Sequence, residues 1–389
     1  MSEWKKVKLG ELYEVHNGLS KGRQFFGTGF PFLTFSNVFN NWFLPEQLES
    51  LVQTTDKERE ACSIKAGDVF ITRTSETMDE LGMSSVALKD YPNATYNGFT
   101  KRLRPKTDRV FPRYMGYYLR TPKFRGQFMA FSSMTTRASL ANNDLLNMEV
   151  ELPPMDIQKN IATILSRYDS LIENYQKQIK LLEEAAQRLY KEWFIDLHFP
   201  GHENTNIIDG VPEGWEMKKV GEIAIISAGG DKPDVVTEEQ TTECQVPIYS
   251  NGTTKEGLYG YTNKSSNTAG SITVSARGSI GFACLRMHDY FSIVRLISIK
   301  PQNNVDLMYL FQFTKVHTFM SNGAAQQQLT VPMVKAIDVV YPAESLLEAF
   351  ENVVLPLYKK VQSLQSQLRL LTEARDCLLP KLMSGEITV

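Results

Sequence analysis

An internal repeat constrains the fold of this chain more than any other feature of its sequence. Trp4–Leu12 and Trp215–Ile223, which begin 211 residues apart, share a Trp, a Gly-Glu pair and the aliphatic residues on both sides of that pair. Two further pairs of segments match in the same order: Ala66–Arg73 with Ala269–Arg277, and Met148–Pro153 with Ile337–Pro342, the last pair at an offset of 189. Because the order is preserved, we expect two copies of one fold that differ by loop insertions.

Each copy is followed by a predicted long helix. Apolar residues recur at spacings that alternate between four and three, from Ile161 to Trp193 and again from Phe350 to Leu378. This heptad pattern predicts two helices of about 40 residues, each about 60 Å long. Pro356 lies inside the second pattern and predicts a kink or a late helix start. The expected seam residues are Ile172, Ile179, Leu182, Leu189, Val361, Leu364, Leu368 and Leu371.

A heptad seam can pair with a second molecule or with another seam in the same chain. A homodimeric coiled coil is the first interpretation, and it stays open. We favour the second, because two matched seams in one chain can cover each other without a partner. An antiparallel pair would place the two globular copies at opposite ends of a rod, related by a pseudo-twofold axis.

The globular parts have the pattern of α+β domains. Short β-like runs such as Asp68–Thr72 and Ile272–Ala276 are separated by turns rich in Gly, Asn, Ser and Thr. We therefore predict two domains, each a twisted, partly barrel-like sheet with helices, separated by the two long helices of an intramolecular antiparallel coiled coil. The predicted boundaries are 1–152 for the first domain, 153–199 for its helix, 200–342 for the second domain and 343–389 for its helix.

Composition and motif searches exclude several classes of protein. The chain has 389 residues, with 42 Lys+Arg against 44 Asp+Glu, so a nucleic-acid site must be a local patch rather than a uniformly basic surface. The four cysteines are widely spaced and the five histidines lack partners at metal-ligand spacing, so we predict neither a metal site nor a disulfide framework. No signal peptide and no apolar stretch of membrane-spanning length is found, which favours a cytoplasmic location.

The sequence also lacks the motifs of nucleotide-using enzymes. It has no GxxxxGK[ST] phosphate loop, no GxGxxG after a strand and no Asn-Pro-Pro-aromatic motif of adenine methyltransferases. We therefore expect the chain to bind no cofactor and to catalyse no reaction by itself.

Two kinds of segment are candidates for nucleic-acid contact. Residues 101–137 carry ten Lys and Arg against one acidic residue, interleaved with Tyr and Phe, which predicts a positive face. The alternative is a solvated helix face above an ordinary aromatic core. The second domain offers polar loops instead, at Tyr249–Lys255, Ala276–Gly281 and Asn322–Gln328. Gln and Asn pair with adenine and Arg with guanine, although Gly-rich surface turns would have the same composition.

Several motifs bear a family resemblance. Leu152–Leu165, with its Pro-Pro and Gln158, and Leu189–Asp196 resemble the central conserved region of the DNA-specificity (S) subunits of type I restriction-modification systems. Leu378–Ile387 resembles the C-terminal signature of the same subunits. The resemblance covers the whole chain, with two departures: Leu347 stands at the position of Gln158 in the second copy, and Arg73-Thr74-Ser75 replaces an Arg-Gly-Ser loop.

The resemblance implies a sequence-specific DNA-binding subunit. Each of two target-recognition domains would read one half of a bipartite target, and the coiled coil would set the spacing. Two modification (methyltransferase) subunits and the restriction subunits would bind this chain, and S-adenosylmethionine, ATP and Mg would be used by those partners. The rival interpretation is a non-enzymatic coiled-coil adaptor that does not read DNA. The predicted DNA contacts are Lys21, Arg23, Arg73, Thr74, Lys101, Arg102, Arg137, Asn251, Lys255, Arg277, Ser279, Gln326, Gln327 and Gln328.

Overall fold

A computed structural model describes residues 4–75, 81–131, 138–319 and 328–389 of the chain. It divides into two compact units: unit 1 is Met1–Asn174 with Leu368–Val389, and unit 2 is Tyr175–Gln367. Each unit thus contains one copy of the repeat and a part of each long helix.

Unit 1 is built from short strands and short helices. The strands are β1 (Lys5–Lys8), β2 (Tyr13–Asn17), β3 (Phe26–Leu33), β4 (Leu51–Val52), β5 (Val69–Thr72), β6 (Thr74–Ser75), β7 (Ser84–Val86), β8 (Thr95–Tyr96), β9 (Thr100–Pro105), β10 (Ala138–Ser139) and β11 (Glu149–Leu152). The helices are α1 (Leu9–Leu12), α2 (Phe35–Asn40), α3 (Asp56–Ala61), α4 (Pro112–Tyr118), α5 (Pro122–Phe131), α6 (Asn142–Asn147) and the first part of α7 (Met155–Tyr190).

Unit 2 repeats this composition. Its strands are β12 (Ile207–Ile208), β13 (Val211–Pro212), β14 (Glu216–Lys219), β15 (Ala224–Ala228), β16 (Val246–Tyr249), β17 (Leu258–Thr262), β18 (Ser271–Val274), β19 (Ala283–Arg286), β20 (Phe291–Ser292), β21 (Ile297–Pro301) and β22 (Asp338–Tyr341). Its helices are α8 (Val220–Ile223), α9 (Leu307–Val316), α10 (Val331–Lys335) and the first part of α11 (Glu344–Ser384).

The starts of the short helices follow from local sequence. Thr34 and Thr55 cap α2 and α3, and each side chain accepts a hydrogen bond from the backbone N–H three residues later. At both caps the side chain of that third residue returns to the Thr backbone N–H, so two otherwise unpaired donors are satisfied at once. Pro112 opens α4, where its missing N–H costs nothing.

The sheets of the two units have the same topology. The main sheet runs β2-β9-β5-β7 in unit 1 and β15-β21-β18-β19 in unit 2, and a second sheet runs β4-β3-β8 and β17-β16-β20. Two rows of paired residues correspond across the main sheets: Val15–Leu103–Val69 and Ile226–Ile299–Ile272. The predicted two copies of one fold are therefore confirmed. The main sheets do not close into barrels, because their end strands, all within the described residues, do not pair with each other.

The aromatic residues of the 101–137 stretch lie in the core of unit 1. Tyr114, Tyr117, Tyr118, Phe124 and Phe128 are all buried in one cluster. Burial of a large apolar side chain stabilises a fold by about 1.5–3 kcal/mol, so these residues account for much of the hydrophobic stabilisation of α4 and α5. For the aromatic residues, the core interpretation is correct.

The long helices pack in opposite senses within each unit. In unit 1, Ile161 and Leu165 near the start of α7 share a core with Leu379 and Leu382 near the end of α11. In unit 2, Tyr190 at the end of α7 lies against Phe350 near the start of α11, with ring centroids 6.3 Å apart. The predicted antiparallel pairing of the two seams is present in each unit.

The predicted seam residues lie on the covered side of these helices. Ile172, Val361 and Leu364 are buried. The others are half-buried: Ile179, Leu182, Leu189, Leu368 and Leu371. Helix α11 begins at Glu344 and continues through Pro356, so the predicted late start is wrong.

Candidate nucleic-acid interface

Several loops of unit 2 meet at one end of its main sheet. Gly229, after β15, donates its N–H to the Leu296 carbonyl at 2.8 Å, and Arg295 donates to the Gly229 carbonyl at 2.8 Å. Leu329 donates to the carbonyl of Ala276, the second residue after β18, at 3.0 Å. We call this cluster, residues 229–230, 250–252, 276–279, 293–295 and 328–329, the loop end of unit 2.

Unit 1 has two of these hydrogen bonds at the corresponding place, from Gly18 and Leu140, and a further one from Arg73. Gly18 donates to the Thr100 carbonyl at 3.3 Å, Arg73 donates to the Phe99 carbonyl at 3.0 Å, and Leu140 donates to the Arg73 carbonyl at 3.1 Å. Residues 18–20, 73–75, 97–99 and 138–140 form the loop end of unit 1. The repeat therefore extends from the sheets to the loops beyond them.

A glycine is required at one position of each loop end. A Cβ on Gly18 would lie 2.1 Å from the Asn97 carbonyl oxygen, and a Cβ on Gly229 would lie 2.7 Å from the Ile293 nitrogen. Both obstacles are backbone atoms, which cannot move aside as a side chain can. This close approach joins the loop after β2 or β15 to the loop before β9 or β21.

Strand register fixes which residues correspond at the loop ends. Since Val69 pairs with Leu103 and Ile272 pairs with Ile299, Arg73 corresponds to Ala276 and Thr74 to Arg277. The bonds that Leu140 and Leu329 donate give the same alignment. In the sequence, a predicted strand is followed by an arginine in each copy, which would align Arg73 with Arg277. The strand register shows that these two arginines are offset by one residue.

Arg277 is hydrogen-bonded to another of the predicted DNA contacts. The exposed guanidinium donates from Nη2 to Oε1 of Gln328 at 2.9 Å. In unit 1 the corresponding backbone pair is Thr74 with Ser139, joined through β6 and β10. The structure thus brings together Arg277 and Gln328, two residues 51 positions apart in the chain.

The other predicted contacts of unit 2 differ in their placement. Asn251 bridges two loops, because its Nδ2 donates to the Val294 carbonyl at 2.7 Å and its Oδ1 accepts from the Ala276 N–H at 2.7 Å. Ser279 and Lys255 are exposed. Asn251 therefore positions the loop end, and its amide is already committed to backbone partners.

In unit 1 the predicted contacts fall into three groups. Arg23 is exposed and Lys21 forms a 2.7 Å ion pair with Glu58. Arg73 is half-buried, and Thr74 lies in β6. Three further predicted contacts lie outside the described residues: Arg137, Gln326 and Gln327.

Lys101 and Arg102 lie inside unit 1, which argues against their predicted DNA contacts. Lys101 is 4% exposed and Arg102 is 5% exposed, because both belong to β9, an interior strand of the main sheet. Lys101 Nζ donates to Oδ1 of Asn17 at 3.3 Å, and Arg102 donates to the Ser63 carbonyl at 2.7 Å. Burial, with a smaller contribution from the charge of Arg73, lowers the pKa of Lys101.

Other cations of the 101–137 stretch also have internal partners. Arg104 forms a 2.6 Å ion pair with the fully buried carboxylate of Asp68. Arg120 donates to four backbone carbonyls, among them that of Ser84 at 2.6 Å, and burial lowers its pKa to about 10. The stretch is therefore not one positive face. Part of its positive charge lies in the interior, whereas four of its cations are exposed: Lys106, Arg109, Arg113 and Lys123.

Three residues at the loop ends were not predicted from the sequence. Phe99 is 56% exposed, and Arg295 is exposed at the corresponding position of unit 2. Lys232 corresponds to Lys21, because the parallel bridges Leu19–Asn97 and Gly230–Ile293 are equivalent. Its ammonium lies 4.6 Å from the centroid of the Tyr259 ring. The repeat itself could have indicated Lys232, since Lys21 and Lys232 each stand two residues after the bridging residue, Leu19 or Gly230.

Two structural features are absent from the described residues: a cluster of metal-binding side chains and a membrane-spanning helix. They contain no group of three His, Cys, Asp or Glu side chains arranged to hold a metal ion. No helix in this part of the chain combines the length and apolar character that a membrane span requires.

Known proteins are similar to this chain along its whole length. The specificity subunit of the type I restriction enzyme MjaIX from Methanocaldococcus jannaschii is 26% identical over 414 residues, which cover 100% of this chain and 94% of that protein. The type I restriction enzyme HindI specificity subunit from Haemophilus influenzae is 21% identical over 470 residues, with 100% of both chains covered. The crystal structure of a type I restriction-modification S subunit from M. genitalium has the same fold, with a TM-score of 0.66 at 16% identity over 98% of this chain and 96% of that chain.

The family assignment rests on a match to both copies of the repeat. The model of the type I restriction modification DNA specificity domain matches residues 1–184 and 212–345. Each match contains one main sheet and the loop end beyond it. The chain belongs to the type I restriction-modification DNA specificity family.

Proposed function

We propose that the two loop ends are the DNA-reading surfaces of a specificity subunit, and that each reads one half of a bipartite target. The observation that carries this proposal is the matched pair of loop ends: one hydrogen-bonded backbone arrangement, built twice, presents different side chains in the two units. A protein that must recognise two different short sequences with one fold needs this combination.

The side chains of the unit 2 loop end suit base recognition. Arg277 is exposed and its guanidinium is oriented by Gln328, so it is positioned before any ligand binds. Arg pairs with the O6 and N7 atoms of guanine in the major groove, and Gln pairs with adenine. Lys21 and Lys232, at corresponding positions beside the loop ends, would contact phosphates and so position the duplex without reading it.

The two long helices would fix the spacing of the half-sites. Support comes from the division of the chain, because α7 and α11 each contribute residues to both units. We further propose that modification subunits, two in number, and restriction subunits bind this chain. The chemistry of S-adenosylmethionine, ATP and Mg would belong to those partners, since this sequence has no phosphate loop and no methyltransferase motif.

Selection from a random duplex library tests the proposal. The full chain, purified with its modification subunit, should enrich a sequence in two parts separated by a gap of constant length. Retention should fall as salt rises, because phosphate contacts release counterions. A complex that binds no DNA at low salt, or that retains duplexes without enriching a sequence, would support a coiled-coil adaptor instead. Methyl transfer by the purified chain alone would contradict the assignment of catalysis to the partners.

A further inference from the structure

One exposed position is equivalent in the two loop ends and carries unlike side chains. Phe99 directly precedes β9, and Arg295 lies two residues before the start of β21. The parallel bridges Leu19–Asn97 and Gly230–Ile293 fix this equivalence. Both side chains are exposed, and the Arg295 guanidinium forms no hydrogen bond or ion pair with any described residue.

The backbone at Arg295 is strained and held in place. Val294 and Arg295 have φ angles of 53° and 61°, in the left-handed region that non-glycine residues seldom adopt. Three hydrogen bonds maintain this conformation: Val294 N–H to the Gly230 carbonyl, Arg295 N–H to the Gly229 carbonyl, and Asn251 Nδ2 to the Val294 carbonyl. Because Val294 and Arg295 are exposed, the strain does not serve core packing. The Leu296 N–H donates to the Ile293 carbonyl at 3.1 Å and closes a tight turn around these two residues, so the strained turn places both side chains at the surface.

The same hydrogen bonds connect Arg295 to Arg277. The Asn251 amide that accepts from the Ala276 N–H also donates to the Val294 carbonyl, at 2.7 Å in each case. Arg277 follows Ala276 directly, and Arg295 follows Val294 directly. The two arginines therefore lie on loops that the Asn251 amide joins to each other.

We propose that Arg295 and Phe99 are specificity-determining residues, one for each half-site. The Arg295 guanidinium donates to the O6 and N7 atoms of a guanine, beside the base read by Arg277. Phe99, which has no donor, makes an apolar contact with a base, such as the methyl group of thymine. This inference rests on the proposed function, because it requires the loop ends to face DNA.

Selection with variants of the full chain in complex with its modification subunit tests the inference. The variants are Arg295→Ala, Arg295→Lys and Phe99→Ala, with Lys335→Ala as the control. Lys335 is an exposed cation on α10, which packs on α8 at the start of β15, at the opposite end of that strand from Gly229. Thermal unfolding midpoints verify that each variant remains folded.

Arg295→Ala should lower discrimination at a guanine position of one half-site by about tenfold or more and leave the other half-site unchanged. Arg295→Lys should show the same loss of discrimination, because an ammonium keeps the charge but not the two-pronged donor geometry. Phe99→Ala should relax one position in the other half-site. Lys335→Ala should preserve the whole pattern.

Different results would show whether the inference alone or the proposed function is wrong. If the parent complex enriches a bipartite sequence and Arg295→Ala enriches the same sequence with undiminished discrimination, the inference is wrong and the proposed function stands. If Arg295→Lys keeps full discrimination while Arg295→Ala weakens binding to every sequence, Arg295 contacts a phosphate and the base assignment is wrong. If the parent complex enriches no sequence, the proposed function fails and the inference fails with it.

Discussion

The two loop ends share two backbone hydrogen bonds and differ in their side chains. The bonds from Gly18 and Leu140 in unit 1 recur from Gly229 and Leu329 in unit 2. On this common support unit 1 carries Thr74, Ser139 and Phe99, whereas unit 2 carries Arg277, Gln328 and Arg295. The backbone of the loop ends therefore depends on strand register and on one close glycine contact, so the side chains can change while the backbone arrangement remains.

The interiors of the two units differ as well, but in another way. Arg102 of β9 is buried in unit 1, and Ser298 of β21 stands at the corresponding position in unit 2. Unit 2 buries Arg286 instead, whose guanidinium stacks 3.6 Å from the centroid of the Tyr249 ring and donates to Thr273. The positions of the buried arginines therefore differ between the two copies. The glycine contact is common to both.

The largest expected effect comes from closing the shared glycine contact. Gly18→Ala places a Cβ 2.1 Å from the Asn97 carbonyl oxygen, so the two loops must separate. We expect a loss of about 3 kcal/mol or more in the free energy of unfolding, because a backbone clash inside a packed loop end cannot relax locally. Chemical denaturation monitored by circular dichroism measures this loss.

A second glycine provides the matched control. Gly126 lies within α5, and a Cβ built there meets nothing within 4 Å. Gly126→Ala should stabilise unit 1 by about 1 kcal/mol, since Ala is the better helix former. If the Gly18→Ala variant were as stable as the Gly126→Ala variant, this result would contradict the shared support of the loop ends.

The next largest effect is expected at Arg102, where the interiors of the two units differ. Arg102→Ala removes a buried cation, leaves the Ala61 carbonyl without the Arg102 donor and leaves the Ser63 carbonyl with only the donor of Arg104. The free energy of unfolding should fall by about 2 kcal/mol, while the preferred DNA sequence should not change at a temperature where the variant is folded. Denaturation and library selection on the same preparation measure both quantities. A changed half-site with unchanged stability would restore the sequence-based assignment of Arg102 to DNA contact.

The fold was largely predictable because it depends on patterns that span many residues. The repeat and the heptad spacing of Ile161–Trp193 involve dozens of positions, so no single substitution obscures them. Helix α11 illustrates the limit: Pro356 lies within it, and tertiary packing of Val354 and Tyr358 outweighs the local preference for a helix break.

The candidate site was less predictable because exposure depends on register. Lys101 and Arg102 look like surface cations in a basic stretch, yet β9 lies between β2 and β5 and is covered on both faces. Phe99 and Arg295 have unlike chemistry, so no residue pattern connects them. Their equivalence emerges only when the parallel bridges of the two sheets are compared.

A smaller effect is expected from the partner of Arg277. Gln328→Ala removes the 2.9 Å hydrogen bond that orients the guanidinium in unit 2. Discrimination at the position read by Arg277 should fall by about 1 kcal/mol, because the side chain must then be ordered on binding. Competition binding with single-base variants of the selected site measures this change. Gln302→Ala, at an exposed position just after the other end of β21, is the control and should change nothing.

The smallest effects should come from Lys21 and Lys232, which occupy corresponding positions with different neighbours. Lys21 is ion-paired with Glu58 at 2.7 Å, and this hydrogen bond lowers the pKa of the Glu58 carboxyl. Lys232 lies against the neutral ring of Tyr259. Because the charge of Lys21 is already compensated, Lys232→Ala should weaken binding to all sequences more than Lys21→Ala does.

The salt dependence of binding separates these two lysines most sharply. Losing one phosphate contact should lower the slope of log K against log salt by about 0.9, which we expect for Lys232→Ala. Glu58→Gln should have the opposite effect, since it removes the negative charge that compensates Lys21 and so makes that ammonium available to a phosphate. Equal slopes for the parent, Lys232→Ala and Glu58→Gln would mean that neither lysine reaches the DNA. In that case the correspondence between the two loop ends would not extend to the residues beside them.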